Sequence, residues 1–311
     1  MIYHTVATLP VSPANRGYRG RFAPTPSGPL HLGSLFAALA SWLQARTAGG
    51  VWLVRIDDLD RARCIPGAST KILLQLEAHG LVWDETPRYQ SEQLGDYEAA
   101  LARLQALGKV YPCSCSRAEL LTRSTPGPDG PIYSGRCRSG AQGGRRHSQR
   151  LRVESRRLCF DDAWQGPQCR LLEREIGDFI VARSDGVLAY QLACAVDEAD
   201  QGITEVVRGA DLLGSTFQQL YVQKLLGLKS ANYRHLPVLV DSQGRKLSKQ
   251  NHAPEITSRN ATQNLLRCLS YLRQEPPSEL RKYPPVDILD WARHHWTPAR
   301  LAGLCNFAVE D

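Results

Sequence analysis

Residues Arg21–Ser34 read RFAPTPSGPLHLGS. The stretch closes a short β-prone run, Arg16 to Ala23, passes through a Pro/Gly turn, and enters a pattern in which Leu32, Leu35, Phe36, Leu39 and Leu43 recur at helical spacing. Gly49-Gly50 stop that helix at about Ala48, and VWLVRI (Val51–Ile56) follows as an apolar, β-rich run of the kind buried in parallel sheets. A strand-to-helix turn of this sort is where α/β folds bind phosphate-bearing ligands. Gly28 and Gly33 have no Cβ, so the backbone can approach a nucleotide closely, and the helix N-terminus offers N–H groups and positive partial charge to phosphate. His31 can donate a hydrogen bond to a phosphate oxygen as charge redistributes.

Working outward, two more helical patterns, Ala68–His79 and Asp96–Leu107, end at Gly80 and Gly108. Alternating strands and helices with short connections predict an open α/β fold with a parallel, Rossmann-type nucleotide-binding sheet. Residues 110–175 break the rhythm with cysteines, glycines and arginines and read as an insertion. The β pattern resumes at Phe179–Ala182, turns at Ser184-Asp185-Gly186 and continues through Val187–Val196. A helix at Ser215–Leu226, a strand at His235–Val240 and a lysine-rich loop complete the expected sheet. The expected organisation is a catalytic domain over 16–252, interrupted by 110–175, and a short helical C-terminal region over 253–311.

In the 311 residues no apolar run approaches the roughly 20 needed to span a bilayer. The first residues lack a basic segment followed by an apolar one, so a cytoplasmic protein is expected. The net charge of +7 is unevenly placed: Arg136, Arg138, Arg145, Arg146, Arg150, Arg152, Arg156 and Arg157 crowd one stretch. That crowding reads as a phosphate-binding surface for nucleic acid or, equally on charge alone, as a solvated loop. Of the nine cysteines, Cys194, Cys268 and Cys305 sit among apolar neighbours and read as small core residues, and the odd count argues against a disulfide framework.

A second motif, RKLSKQ (Arg245–Gln250), follows the last strand. Lys246 and Lys249, with a small serine between them, suit two ammonium groups folding over a triphosphate and stabilising charge on leaving pyrophosphate. Either motif alone is weak. Together and in this order they are specific.

HLGS at 31–34 resembles the HIGH signature of class I aminoacyl-tRNA synthetases, and KLSKQ at 246–250 resembles their KMSKS loop. RFAPTPSG, RIDDLD (Arg55–Asp60), LAYQLA (Leu188–Ala193), GITEVVRGADLL (Gly202–Leu213) and HLPVL (His235–Leu239) are similar to the glutamate-specific branch, so the likeness runs from Arg19 to Asn251. The chain ends some sixty residues past the lysine loop, leaving no room for the anticodon-binding domains of a full glutamyl-tRNA synthetase. This shortened form, with its C-x-C…Y-x-x-x-C insertion, is similar to the glutamyl-queuosine tRNA(Asp) synthetase family, which attaches glutamate to the queuosine base at the wobble position.

The resemblance implies ATP-dependent activation of L-glutamate, with Mg²⁺ accompanying ATP. It assigns His31, Lys246 and Lys249 to catalysis and Gly28, His31, Gly33 and Lys249 to ATP. Glutamate falls to Arg21, Phe22, Ala23, Pro24, Thr25, Asp57, Tyr190 and Arg208, where the two arginines can each clamp a carboxylate. Asp57 is a departure, because the family usually carries Glu there to contact the α-ammonium. Compensation by the backbone, a bridging water or neighbouring Asp58 are the ways it can still serve. Three thiolates, Cys113, Cys115 and Cys137, can hold one structural zinc, with Tyr133 taking the fourth place in the resembled family. The implied partners are ATP, glutamate and queuosine-containing tRNA(Asp), for a monomer with no membrane association. A compact glutamyl-tRNA synthetase acting at a tRNA 3′ end, or a non-catalytic tRNA-binding relative, are the alternatives.

Overall fold

Strand β1 (Arg19–Phe22) leads through the Pro/Gly turn into helix α1 (Leu32–Thr47), and β2 (Val51–Ile56) returns beside β1 in parallel. The computed structural model describes residues 17–141, 147–241, 243–247 and 254–309. Helix α1 is buried on nearly every side, because the sheet covers one face and C-terminal helices cover the other. Its Ser41 hydroxyl donates to the Arg21 carbonyl at 3.0 Å and accepts the Trp52 indole N–H at 3.0 Å, locking helix to sheet.

The chain continues through α2 (Ala68–Ala78), β3 (Arg88–Tyr89), which extends the sheet beside β2, and α3 (Leu94–Ala106). Next come β4 (Val110–Cys113), α4 (Arg117–Arg123), β5 (Ser148–Leu151), β6 (Arg157–Asp162), β7 (Gly166–Leu171) and β8 (Phe179–Ala182). Then follow α5 (Tyr190–Asp200), β9 (Glu205–Gly209), α6 (Leu213–Leu226), β10 (Asn232–Leu236) and β11 (Val238–Val240). Helices α7 (Ala261–Tyr271) and α8 (Pro285–His295) and strand β12 (Asn306–Ala308) finish the described chain.

A second block of strands, in the order β7-β6-β10-β9, has β9, β10 and β6 parallel and β7 antiparallel on the edge. Strand β9 lies beside β1: the Thr204 amide donates to the Arg19 carbonyl at 3.0 Å, and the Arg21 guanidinium reaches the Val207 carbonyl at 3.3 Å. The crossover from β1 through α1 goes one way and that from β9 through α6 the other. The crevice between the carboxyl ends of β1 and β9 is therefore the switch point where α/β sheets take ligands.

Three expectations are corrected. Val187–Val196 is not strand: Tyr190 opens α5, whose Leu192, Ala193, Cys194, Ala195 and Val196 are all buried. A short run buried all round carries no periodicity that tells strand from helix. The insertion does not lie wholly apart either. Its residues 157–171 form the β6–β7 hairpin of the larger sheet, while Phe179–Ala182 joins β5 and β4 in a separate antiparallel sheet. The strand expected over His235–Val240 breaks at Pro237, which has no N–H to give a ladder, and β11 pairs with β12 instead.

The C-terminal helices pack into the same core as α1, through Leu265, Cys268, Leu269, Ile288 and Leu289. Cys194 and Cys268 are buried as expected, but Cys305 is exposed. Cys159 and Cys169 are joined in a disulfide, contrary to the reading from cysteine count. They face each other across the β6–β7 hairpin with Cα atoms 4.2 Å apart, a register no count of cysteines can reveal. No helix among the described residues is long and apolar enough to cross a membrane.

Candidate active site

A cleft of about 420 Å³ opens at the carboxyl ends of β1, β9 and β10. Residues 21–25, His31, Gly33, Tyr190, Arg208 and Lys246 all line it. Gly28 takes φ +132°, a backbone open to glycine and strained for other residues. His31 is the N-cap of α1, its Nδ1 accepting the Ser34 amide at 3.3 Å. A Cβ on Gly33 would stand 3.1 Å from the His31 ring and 3.6 Å from the Leu247 carbonyl oxygen. The tight contact is with the His31 ring, and Leu247 of the lysine loop lies at ordinary van der Waals distance.

The two motifs, more than two hundred residues apart, are thus neighbours. The Leu247 amide donates to Leu239 at 2.8 Å, and beyond the loop the Ile256 amide donates to Leu30 at 2.9 Å. Gln75 on α2 clamps that return: its Oε1 accepts the Leu30 amide and its Nε2 donates to the Ile256 carbonyl, both at 2.7 Å. The Lys246 ammonium, expected over a triphosphate, pairs with the Asp211 carboxylate. Lys249 lies outside the described residues.

The cleft floor is built from buried charges. Arg21 gives its Nε–H to Glu198 at 2.9 Å to both carboxylate oxygens and one Nη1 hydrogen to the Val207 carbonyl at 3.3 Å, so Nη2 is the part of the guanidinium that can turn to a ligand. Burial alone would raise the Glu198 carboxyl, but Arg21, Arg55 and Arg208 pull it below its usual range. Arg208 is held on three sides. Its Nε donates to His235 Nε2 at 3.2 Å, its Nη2 to Thr216 Oγ1 at 2.8 Å, and its Nη1 to the Tyr190 hydroxyl at 3.4 Å. Burial keeps the Tyr190 phenol well above its ordinary value and therefore protonated. Neither arginine offers the open two-pronged fork that the sequence suggested. Arg208 Nη1 and the adjacent Tyr190 hydroxyl form a donor pair instead.

Asp57 lines an adjoining cleft of about 630 Å³, which meets the first at Thr25, Arg63 and Tyr190. Its carboxylate pairs with Arg55 Nε at 2.7 Å. The pair pulls Arg55 upward, as a carboxylate partner should, yet burial pushes Asp57 up to about 6. Burial wins because the one guanidinium is shared with Asp197 and Glu198, at 3.4 and 3.5 Å. Asp58 lines neither cleft, and its two oxygens take the Ser91 amide and hydroxyl at 2.8 and 2.6 Å.

Between the second cleft and solvent, Cys113, Cys115 and Cys137 bring their sulfurs within 4.8 Å of one another, a cluster able to hold a metal ion. The Tyr133 hydroxyl stands 3.5 and 3.6 Å from the first two sulfurs and accepts the Cys137 amide at 2.9 Å. Arg150 is buried here, its guanidinium 3.9 Å above the Tyr133 ring and its Nε 3.2 Å from Cys113 Sγ. The donor set suits zinc, and a guanidinium beside it offsets the negative charge of several thiolates.

That placement changes the meaning of the arginine-rich stretch. Arg136 pairs with Glu119, Arg138 with Asp178 and Glu173, Arg156 with Glu154, and Arg150 is interior; Arg136, Arg152, Arg156 and Arg157 are exposed. Arg145 and Arg146 lie outside the described residues. Sequence reasoning missed Glu198, Asp162 and Asp211 as partners. Asp211 sat inside the quoted GADLL, but Glu198 and Asp162 matched no motif; the signal for Glu198 is a carboxylate in an otherwise buried run, and Asp162 carries none.

Residues 18–265 match the family model of the class I tRNA synthetases (E and Q), catalytic domain. A glutamyl-Q tRNA(Asp) synthetase of Ralstonia nicotianae is 52% identical over 79% of this chain and 82% of its own. One from Thiobacillus denitrificans is 49% identical over 89% of this chain and 92% of its own. The crystal structure of a glutamate tRNA ligase from Elizabethkingia meningosepticum, in complex with its amino acid, superposes with a TM-score of 0.64 at 25% identity. The match covers 76% of this chain and 52% of that ligase, so the chain spans about half its length. A glutamate-tRNA synthetase from Elizabethkingia anophelis, 20% identical with a TM-score of 0.75 over 95% of this chain and 68% of that one, has the same fold. The chain belongs to the class I glutamate and glutamine tRNA synthetases and, within them, to the glutamyl-Q tRNA(Asp) synthetase family.

Proposed function

We infer that the protein uses ATP to activate L-glutamate as glutamyl-adenylate and then transfers the glutamyl group to the queuosine base at the wobble position of tRNA(Asp). The observation that carries the reading is the convergence of Arg21, Tyr190 and Arg208 with the HLGS turn and the lysine loop on one cleft. Glutamate brings two carboxylates and one ammonium. The Arg208–Tyr190 donor pair and the end of Arg21 suit the carboxylates, and Asp57 suits the ammonium from the adjoining cleft.

A glutamate α-carboxylate oxygen attacks the α-phosphorus of ATP, and the bond to the departing pyrophosphate breaks. A queuosine hydroxyl then attacks the activated carbonyl, releasing AMP. No protein nucleophile takes part, so the residues act by placing reactants in line and stabilising charge. His31 and the amides at the start of α1 face the phosphates, with Gly33 on the cleft wall and Gly28 in the turn before it. Lys246 must leave Asp211 to reach the pyrophosphate, and Lys249 shares that task. Mg²⁺, when bound with ATP, supplies further charge neutralisation. The reaction belongs in the cytoplasm, where ATP and tRNA are at hand, and a single chain holds both clefts.

The test is glutamate-dependent exchange of labelled pyrophosphate into ATP with tRNA absent. Robust exchange with glutamate and little with glutamine or aspartate is expected. No exchange with any amino acid would leave the protein a tRNA-binding relative without this chemistry.

The four side chains Cys113, Cys115, Tyr133 and Cys137 would hold one zinc whose role is to tie the insertion together, since protein atoms fill every position. We expect one zinc per chain in protein purified without chelator, and its loss in Cys113→Ser or Cys137→Ser. Loosening should centre on residues 110–140, because the main sheet has its own core. Metal analysis that finds none in the unmodified protein would remove the assignment.

A further inference from the structure

We propose that Asp162 and His235 are positioning residues for Arg208: a carboxylate-locked imidazole tautomer holds the guanidinium so that Nη1 faces the amino-acid substrate. The proposal rests on the reading of Arg208 as a glutamate contact. Asp162 ends β6 and His235 lies on β10, the strand hydrogen-bonded to it. Both side chains are wholly removed from solvent.

The hydrogen bonds leave one arrangement of protons. Asp162 Oδ1 already accepts three backbone amides, from Trp164 at 3.0 Å, Gln165 at 2.9 Å and His235 itself at 3.1 Å. Its other oxygen, Oδ2, stands 2.6 Å from His235 Nδ1. An ionised carboxylate only accepts, so Nδ1 must carry the hydrogen. Burial holds the imidazole below its ordinary pKa and hence neutral, which leaves Nε2 a bare acceptor. Burial would raise Asp162, but the His235 contact and the backbone amides bring it down, which keeps it ionised.

Nε2 therefore accepts the Arg208 Nε–H at 3.2 Å, which orients the planar guanidinium, while the Thr216 hydroxyl stands 3.1 Å from the same nitrogen and has the Leu212 carbonyl, at 3.4 Å, as its other acceptor. Thr216 takes Nη2, and the ring of Tyr233, stacked 5.9 Å from His235, lies 5.4 Å under the guanidinium carbon. Only Nη1 is left beside the Tyr190 hydroxyl at the cleft wall. A donor pair fixed in this way suits a carboxylate and is less suited to a carboxamide, whose NH₂ would meet a donor.

Asp162→Asn makes a sharp test because it is isosteric. The three backbone amides keep the Asn oxygen facing them, so its NH₂ faces His235 Nδ1. The imidazole must then move its hydrogen to Nε2, which can give it to Thr216 Oγ1 but no longer accepts from Arg208. We expect the glutamate KM in pyrophosphate exchange to rise about tenfold or more, as a mispaired charged hydrogen bond commonly costs. The ATP KM should stay within about twofold, and preference for glutamate over glutamine should narrow. His235→Gln should recover most of the glutamate affinity, since its oxygen can accept from Arg208 while its amide donates to Asp162; His235→Leu should not.

Arg208→Gln is the reference. If it leaves the glutamate KM unchanged, the glutamate reading of the cleft fails and this proposal with it. If Arg208→Gln raises the KM but Asp162→Asn and His235→Leu do not, the positioning role alone is overturned. Equal losses in glutamate KM, ATP KM and thermal stability would make the pair structural and likewise overturn it. Should Asp162→Asn fail to fold, the contrast between His235→Gln and His235→Leu decides in the same way.

Discussion

Replacing queuosine by guanine at the wobble position of tRNA(Asp) is expected to abolish glutamate transfer, while removal of the terminal adenosine leaves transfer intact. The nucleophile has to reach an adenylate held beside Tyr190 and Arg208, and the wider cleft meets that point through Thr25, Arg63 and Tyr190. That cleft is walled by the sheet on one side and by Cys115, Tyr133 and Arg150 of the insertion on the other. An RNA gripped there must carry its reacting group close to the grip. An anticodon loop with a hydroxyl on its own modified base meets the condition without a second contact at a distant stem. Guanine offers no such hydroxyl, so the expected effect is loss of labelled product rather than a slower rate. The measurement is transfer of radiolabelled glutamate to three tRNAs: complete, lacking queuosine, and lacking the 3′ adenosine. The reverse pattern, product that survives guanine and disappears with the terminal adenosine, would favour a compact glutamyl-tRNA synthetase.

Lys249→Ala should lower adenylate formation by about a hundredfold or more, the usual loss when a charge contact made in the transition state is removed. Both ends of the lysine loop are tied beside the HLGS turn, through Leu247 on one side and Ile256 on the other. Because the lysine serves phosphate, glutamate binding should change little, and the loss should fall on the exchange rate at saturating glutamate. An unchanged rate in the variant would take the lysine loop out of the mechanism. Lys246→Ala is not equivalent, since it also breaks the ion pair with Asp211.

Several features were legible in the residues alone because they depend on neighbours a turn or two away. The bounds of β2 and the start of α1 follow from an apolar run, a helical repeat and glycines that end it. The C-x-C pair brings two sulfurs together by local spacing, and the HLGS turn needs its glycine because the His31 ring is two residues away. The resemblance added which side chains would meet substrate, and the cleft does gather Arg21, His31, Tyr190, Arg208 and Lys246. What only the tertiary structure decided is which buried group faces which. Tyr190 opens a helix instead of lying in a strand, which the run could not show because Leu192–Glu198 is buried throughout and carries no periodicity. Arg21 is matched to Glu198 across 177 residues, and His235 to Asp162 across 73. Most described members of the arginine-rich stretch outside β6 are spent on carboxylates or on the cysteine cluster, although their charges alone suggested an open surface. Periodicity and turn residues report the local backbone, whereas the partner of a buried charge is set by the sheet order that brings distant strands side by side. A guanidinium looks the same in sequence whether it waits for a ligand or is already held.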